Sequence, residues 1–161
     1  MSVFNFEKTS EAQSWYIVND VVMGGMSSAK VEVNEEGHGV FSGTVSLENN
    51  GGFASMRHSS RVEGVSQYRK VALRVKGDGK QYQFRLRKST RDRESYISKF
   101  TTTGEWQTIE IPLADLYPSF RGRKLDLPKF EGEVFEEVTI LIANYKPENF
   151  RLEVDWIELR P

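Results

Sequence analysis

The sequence predicts an all-β sandwich in a single domain, and three observations carry that expectation. Apolar residues recur at every second position in run after run, clusters of Gly, Asp and Asn separate the runs, and helical periodicity is nearly missing. With 161 residues, 38% hydrophobic and 28% charged, the chain can bury a core without disulfides or metal, and residues 1–161 fit one domain.

Taken in order, Val31 and Val33 open the series with polar residues between them, and Phe41, Gly43, Val45 and Leu47 continue it. Val71, Leu73 and Val75 form the next run. Tyr82, Phe84 and Leu86 then alternate with Gln83, Arg85 and Arg87, the period of a half-buried strand. Tyr96, Ser98 and Phe100 follow, then Gln107, Ile109 and Ile111. Phe150, Leu152, Val154 and Trp156 close the list, while Ile157 and Leu159 fall in the opposite phase. A bulge near Asp155, or burial of both faces, accounts for that change, and an acid in an apolar strand calls for a partner. Gly77-Asp78-Gly79 reads as a hairpin, and Glu36-Gly37-His38-Gly39 and Thr103-Gly104 as similar turns. Ala114–Tyr117 and Val134–Glu137 are each expected to make one helical turn.

Composition removes several function classes. The absence of cysteine excludes thiol catalysis, Cys-ligated zinc, iron–sulfur clusters and disulfides. Met1 to Ser10 lacks the pattern of a signal peptide, and the longest apolar stretch, Val138 to Ala143, is strand-sized, so a soluble cytoplasmic protein without membrane insertion is expected. The net charge of −1 provides no global pull toward nucleic acid or anionic lipid. Charge is nevertheless uneven. Arg85, Arg87, Lys88, Arg91 and Arg93 cluster, Arg121, Arg123 and Lys124 form a second basic group, and Glu131, Glu133, Glu136 and Glu137 an acidic one. The plain reading of such runs is solvated loops and strand faces.

Two stretches stand apart from the strand pattern: Val18 to Ser28, with Asn19, Asp20, Gly24, Gly25 and Ser27, and Leu47 to Arg57, with Asn49, Asn50, Gly51 and Gly52. Each joins polar side chains to a Gly-Gly pair, which turns sharply, admits close approach, or aims successive amides at an anion. Tight connections closed by Asx-type bonds are the plain alternative. Enzyme patterns are absent: the sequence has no Gly-x-Ser-x-Gly elbow, HExxH pair or Walker loop. His38 is expected in an exposed turn, and His58, beside Arg57, in a structural role. Not an enzyme is the expectation.

Asn19-Asp20-Val21-Val22-Met23-Gly24-Gly25-Met26-Ser27 closely resembles the signature of the complex I intermediate-associated protein 30 family. Phe41-Ser42-Gly43 and Glu48 to Arg57 resemble that family's second block, and Gly104 to Thr108, Phe120 to Arg123 and Phe150 to Ile157 continue the likeness. The resemblance implies a jelly-roll, galactose-binding-domain-like sandwich of the kind many carbohydrate-binding modules use. It also implies a protein-binding assembly or chaperone-like factor, whose partners are subunits or assembly intermediates of a membrane enzyme complex. One departure is Asn144-Tyr145-Lys146-Pro147-Glu148-Asn149, where the family tends to carry a charged run before its last strand. Sandwiches of this class often hold a structural calcium where the first and last strands meet, and Glu7 and Asp155 are the candidate ligands, with a salt-bridged acid as the alternative.

The alternation places Gln83, Arg85 and Arg87 on one face, suited to carboxylate, phosphate or sugar hydroxyl groups, with Arg57, Arg121 and Arg123 as further contributors. The competing expectation pairs these arginines internally with Asp20, Glu48 or Asp155. The second functional reading is a carbohydrate- or small-anion-binding module using this face and the two Gly-Gly loops. Tyr96, Trp106, Tyr117 and Phe120 are its candidate aromatic platform. RNA binding through Arg85 to Arg93 is a third reading, disfavoured by the mild net charge.

Overall fold

The computed structural model describes residues 1–7 and 14–161. Among these residues the strands are β1 (Ser2–Asn5), β2 (Tyr16–Asn19), β3 (Ser28–Val33), β4 (Gly39–Val45), β5 (Ala54–Val62), β6 (Lys70–Lys76) and β7 (Gln81–Arg87). They continue as β8 (Ser95–Thr101), β9 (Trp106–Pro112), β10 (Tyr117–Phe120), β11 (Arg123–Lys124), β12 (Phe135–Ile142) and β13 (Glu148–Arg160). All pairings are antiparallel and build two sheets. One has the order β3-β4-β13-β6-β9, with β1 also on β13; the other runs β11-β10-β8-β7-β12-β5-β2. The architecture is a jelly-roll-type β-sandwich.

The core lies between the sheets. Phe41, Leu73, Leu152 and Ile157 from one face meet Met56, Tyr82, Phe84 and Ile140 from the other, all fully buried. Each such side chain contributes roughly 1.5–3 kcal/mol by leaving water. This is the alternation anticipated for β4, β6, β7 and β13, now seen as one face turned inward.

β13 explains how a single strand serves three neighbours. Glu148–Val154 pairs with β4, and β1 takes over beside Trp156–Glu158, where β4 has ended. Its register against β6 shifts between Val154 and Trp156, the change of phase expected at Asp155.

Several local expectations need correction. Gly77-Asp78-Gly79 is not a hairpin, because β6 and β7 lie in different sheets. It is a corner between layers: Gly77 lies against the Thr102 side chain, and Asp78 accepts bonds from the Tyr82 hydroxyl at 3.0 Å and the Arg151 amide at 2.8 Å. Thr103-Gly104 is a second crossing, from β8 to β9. Of the three expected turns, Glu36–Gly39 alone joins paired strands as a hairpin, with the Asn34 side chain accepting from the amides of Glu36 and His38. Val134–Glu137 forms no helical turn. Phe135 onward belongs to β12, whose ladders on both sides hold it extended. The other expected turn is a single 3-10 turn at Leu113–Asp115. Among the described residues, no helix is long and apolar enough to cross a membrane.

Candidate binding site

The two Gly-Gly stretches form one unit around a buried carboxylate. Asn19 caps the single turn Asp20–Met23, its side chain accepting from the Val21 amide at 3.0 Å and donating to the Ser27 carbonyl at 3.2 Å. Asp20 is wholly buried. Its Oδ1 accepts from the Ser27 amide at 2.9 Å; its Oδ2 accepts from the Ser27 hydroxyl at 2.5 Å and from the amides of Gly52 at 2.6 Å and Phe53 at 3.3 Å. Burial opposes ionisation, but the bonds from Ser27, Gly52 and Phe53 outweigh it and hold the carboxyl below its ordinary range.

The glycines follow from this arrangement. A Cβ on Gly25 or on Gly51 would run into the Asp20 carboxylate. Gly24, at φ +88°, and Gly52, at φ +141°, adopt backbone that favours glycine. Asp20, Gly25 and Ser27 are therefore buried supports behind the groove, and Gly24 closes the turn they brace. Glu48–Asn50 forms the short turn that brings Gly51 and Gly52 round, with Asn49 exposed at φ +57°.

The outward face of the seven-stranded sheet carries the arginines. Strand register aligns Arg85 with Thr139, and Thr139 with Arg57, in one row; Arg87 lies opposite Glu137 in the next. Glu137 is 3% exposed. The Arg87 guanidinium donates to both of its oxygens at 2.8 and 3.0 Å, the Tyr16 hydroxyl donates at 2.9 Å, and Arg57 approaches within 3.8 Å. Burial lowers the proton affinity of Arg57, the Glu137 charge offsets part of this, and Arg87 adds to the lowering. The internal pairing expected for these arginines thus exists, with Glu137 in the place assigned to Asp20, Glu48 or Asp155.

Arg85 differs. Its guanidinium donates only to the Gln83 carbonyl oxygen, at 2.7 and 3.1 Å, and no carboxylate among the described residues lies within ion-pair distance. Burial, reinforced by the nearby Arg57 charge, pushes its pKa down to about 10. It stays a cation at neutral pH, without a counter-charge among the described residues.

These parts meet in a groove of about 560 Å³. Arg57, Gln83, Arg85, Arg87, Thr139 and Leu141 make its floor. Leu47, Gly51, Gly52 and Phe53, with Ala143 and Tyr145, line one side, and Arg93, Ser95, Ser119, Phe120, Arg121 and Gly122 the other. Arg121 and Gly122 both have positive φ, +51° and +80°, as a two-residue type I′ hairpin between β10 and β11 requires. The guanidinium groups of Arg121 and Arg93 lie 5.2 and 5.8 Å from the centre of the Phe120 ring. Arg123 is exposed on β11 and does not line the groove. A more open hollow of about 610 Å³ near Arg61 and Arg91 has much of its charge balanced, since Arg61 pairs with Glu63 and Glu136.

The remaining expected residues lie elsewhere in the fold. β1 does meet β13 at Asp155, whose carbonyl accepts from the Phe6 amide, but the Asp155 carboxylate faces Arg74 at 3.5 Å and His38 at 4.0 Å. Glu7 accepts from the Asn5 side chain at 3.4 Å. Among the described residues no three His, Asp or Glu side chains converge as a metal site. His38 is half-buried against Trp106, ring centres 4.6 Å apart, and not a free turn residue. His58 lies mid-strand among Phe4 and Trp15, in the structural role expected. Of the expected aromatic platform, Tyr96 is buried, Trp106 is on the other sheet, and Tyr117 has Lys124 over its ring.

Residues 4–154 match the profile of the complex I intermediate-associated protein 30 family. The chain belongs to that family. A relative within the complex I intermediate-associated protein 30 family, the mitochondrial protein of that name from Mus musculus, is 24% identical over 180 residues. That match covers 96% of this chain and 54% of the relative, so the chain spans about half the length of the curated relative it matches. Among solved structures, a family 11 carbohydrate-binding module from Clostridium thermocellum, in complex with a β-1,3-1,4-mixed-linked tetrasaccharide, superposes with a TM-score of 0.71. It is 20% identical, over 97% of this chain and 94% of that one. A family 11 module from a cellulosomal cellulase of the same organism gives 0.72 at 21% identity, over 99% and 93%. These likenesses establish that this member of the complex I intermediate-associated protein 30 family shares the sandwich fold of the carbohydrate-binding modules.

Glu137 was missed by sequence reasoning, which took it as part of a solvated acidic run. The usable signal was the period of two: Glu137, Thr139 and Leu141 alternate with Val138, Ile140 and Ile142. Tyr16, Phe53 and Tyr145 carried no comparable signal.

Proposed function

We propose that this chain is a non-catalytic binding domain that acts as an assembly or chaperone-like factor. It holds a protein partner, a subunit or assembly intermediate of a membrane enzyme complex, in the groove over the seven-stranded sheet. One observation carries the reading: the second of the two family-like blocks lines the groove and the first braces it from behind. Gly51, Gly52, Phe53 and Arg57 line the groove, and the Asn19–Ser27 loop is latched behind them through Asp20. The family membership supports the kind of partner.

Affinity capture from the native cell's lysate tests it, comparing wild type with the double variant Leu47→Asp, Tyr145→Asp. Both residues are exposed on the groove rim, so circular dichroism of the variant should match wild type. Enrichment of membrane-enzyme subunits by wild type, lost in the variant, is the expected result. Equal recovery with both baits, or only background with either, contradicts it.

A carbohydrate or small anionic ligand is the second reading, favoured by the open arginine-lined groove and by the sugar bound to the module of like fold. Against neutral sugars, the Phe120 ring has arginines packed near it instead of being left clear for stacking. Saturable calorimetric binding of an oligosaccharide, abolished by Arg121→Glu, would establish this reading over the first.

A further inference from the structure

Five arginines (Arg57, Arg85, Arg87, Arg93 and Arg121) line the groove of a chain whose net charge is −1. Among the described residues one buried acid, Glu137, serves this face, and Arg87 and Arg57 already occupy it. Arg85 is left with a neutral amide oxygen from Gln83. A guanidinium presents several N–H donors in a planar fork, so a single carbonyl oxygen leaves donors unused in a place where water is partly excluded. Arg93 and Arg121 add positive charge from the wall, with no carboxylate among the described residues in ion-pair contact with either. The floor is thus built to be completed by a negative charge from outside the chain.

We propose that Arg85 is the centre of an oxyanion site that takes a carboxylate from an acidic segment of the protein partner. This rests on the reading of the groove as a protein-binding surface. A polypeptide is favoured over a sugar acid because the rim offers aliphatic and aromatic side chains, Leu47 at 42% exposure and Tyr145 at 85%, while Phe120 has arginines packed near its ring. Planar, bidentate recognition by arginine suits Asp and Glu side chains.

Calorimetry with the full chain and blocked hexaglutamate tests the site at low salt, with hexaglutamine as the uncharged control. Hexaglutamate should bind and hexaglutamine should not. Arg85→Gln should weaken hexaglutamate binding about tenfold or more, as expected for loss of a charge-assisted pair. Arg85→Lys should recover part of that loss, and Arg61→Gln, outside the groove, should have no effect. Circular dichroism verifies that each variant folds. No hexaglutamate binding, or binding indifferent to Arg85→Gln, overturns the proposal. Binding of oligogalacturonate or inorganic phosphate where hexaglutamate fails also overturns it, by assigning the site to another anion. Should lysate capture survive Arg85→Gln yet disappear with Leu47→Asp, Tyr145→Asp, the anion site falls while the binding-domain reading stands.

Discussion

Replacing Arg85 by methionine isolates what a cation with no acid among its described neighbours costs this fold. The fall in its pKa from the ordinary guanidinium range to about 10 means the charged form is disfavoured in the folded chain. At about 1.4 kcal/mol per tenfold change in proton affinity, the penalty is roughly 3 kcal/mol, and solvent at the groove mouth screens part of it. Methionine keeps most of the aliphatic stem and removes the charge. It also removes the two bonds to Gln83, together about 1–2 kcal/mol net, though water can reach that oxygen. The balance predicts a gain of about 1 kcal/mol, a rise in Tm of roughly 2–4 °C for a domain of this size. Urea unfolding at pH 7, with the midpoint shift read at constant m, measures it. A loss of 1 kcal/mol or more would refute the reasoning, since Arg85 would then be satisfied within the chain.

The neighbouring residues should behave oppositely. Glu137→Gln leaves Arg57 and Arg87 facing each other without an acid and should cost about 3–5 kcal/mol in the same assay. Asp20→Asn should cost about 3 kcal/mol, because the side chain that gathers the Ser27, Gly52 and Phe53 donors loses its charge. The carboxyl of Asp20 is held below its ordinary value, so its contribution is complete above pH about 4 and fades as pH falls through the lower folded-state value. Acid titrations followed by urea unfolding should therefore show a shallower decline for Asp20→Asn than for wild type. Gly25→Ala should destabilise by about 1–3 kcal/mol by collision with Asp20, although its backbone is unstrained. Gly24→Ala meets open space and should cost only about 1 kcal/mol, from its positive φ; equal losses at the two positions would contradict the packing account.

The strands that alternate cleanly were legible, and so was the change of phase at Asp155, because period two reports which face of a strand is buried. Connections were not. Gly77-Asp78-Gly79 has hairpin chemistry, yet joins different sheets, and local composition cannot tell a hairpin from a corner when each suits glycine and aspartate. β1 and β2, four residues each, are too short to show a period. At the site, the arginine face was legible from Gln83, Arg85 and Arg87. Its sorting into paired and unpaired members was not, because Glu137 reaches Arg87 and Arg57 only through the register of β12 between β7 and β5. The signature loops were visible as chemistry, but only the tertiary structure separates the buried brace, Asp20 and Ser27, from the lining, Gly51 and Gly52.

Site-specific photo-crosslinking tests most directly whether the groove is the working surface. A benzophenone side chain at Tyr145, exposed on the groove rim, is compared with one at Glu32, exposed on edge strand β3 of the opposite sheet. The account predicts a discrete protein adduct in native lysate from position 145 and none from position 32. Adducts from 32 but not 145 would place the partner on the opposite sheet and contradict it.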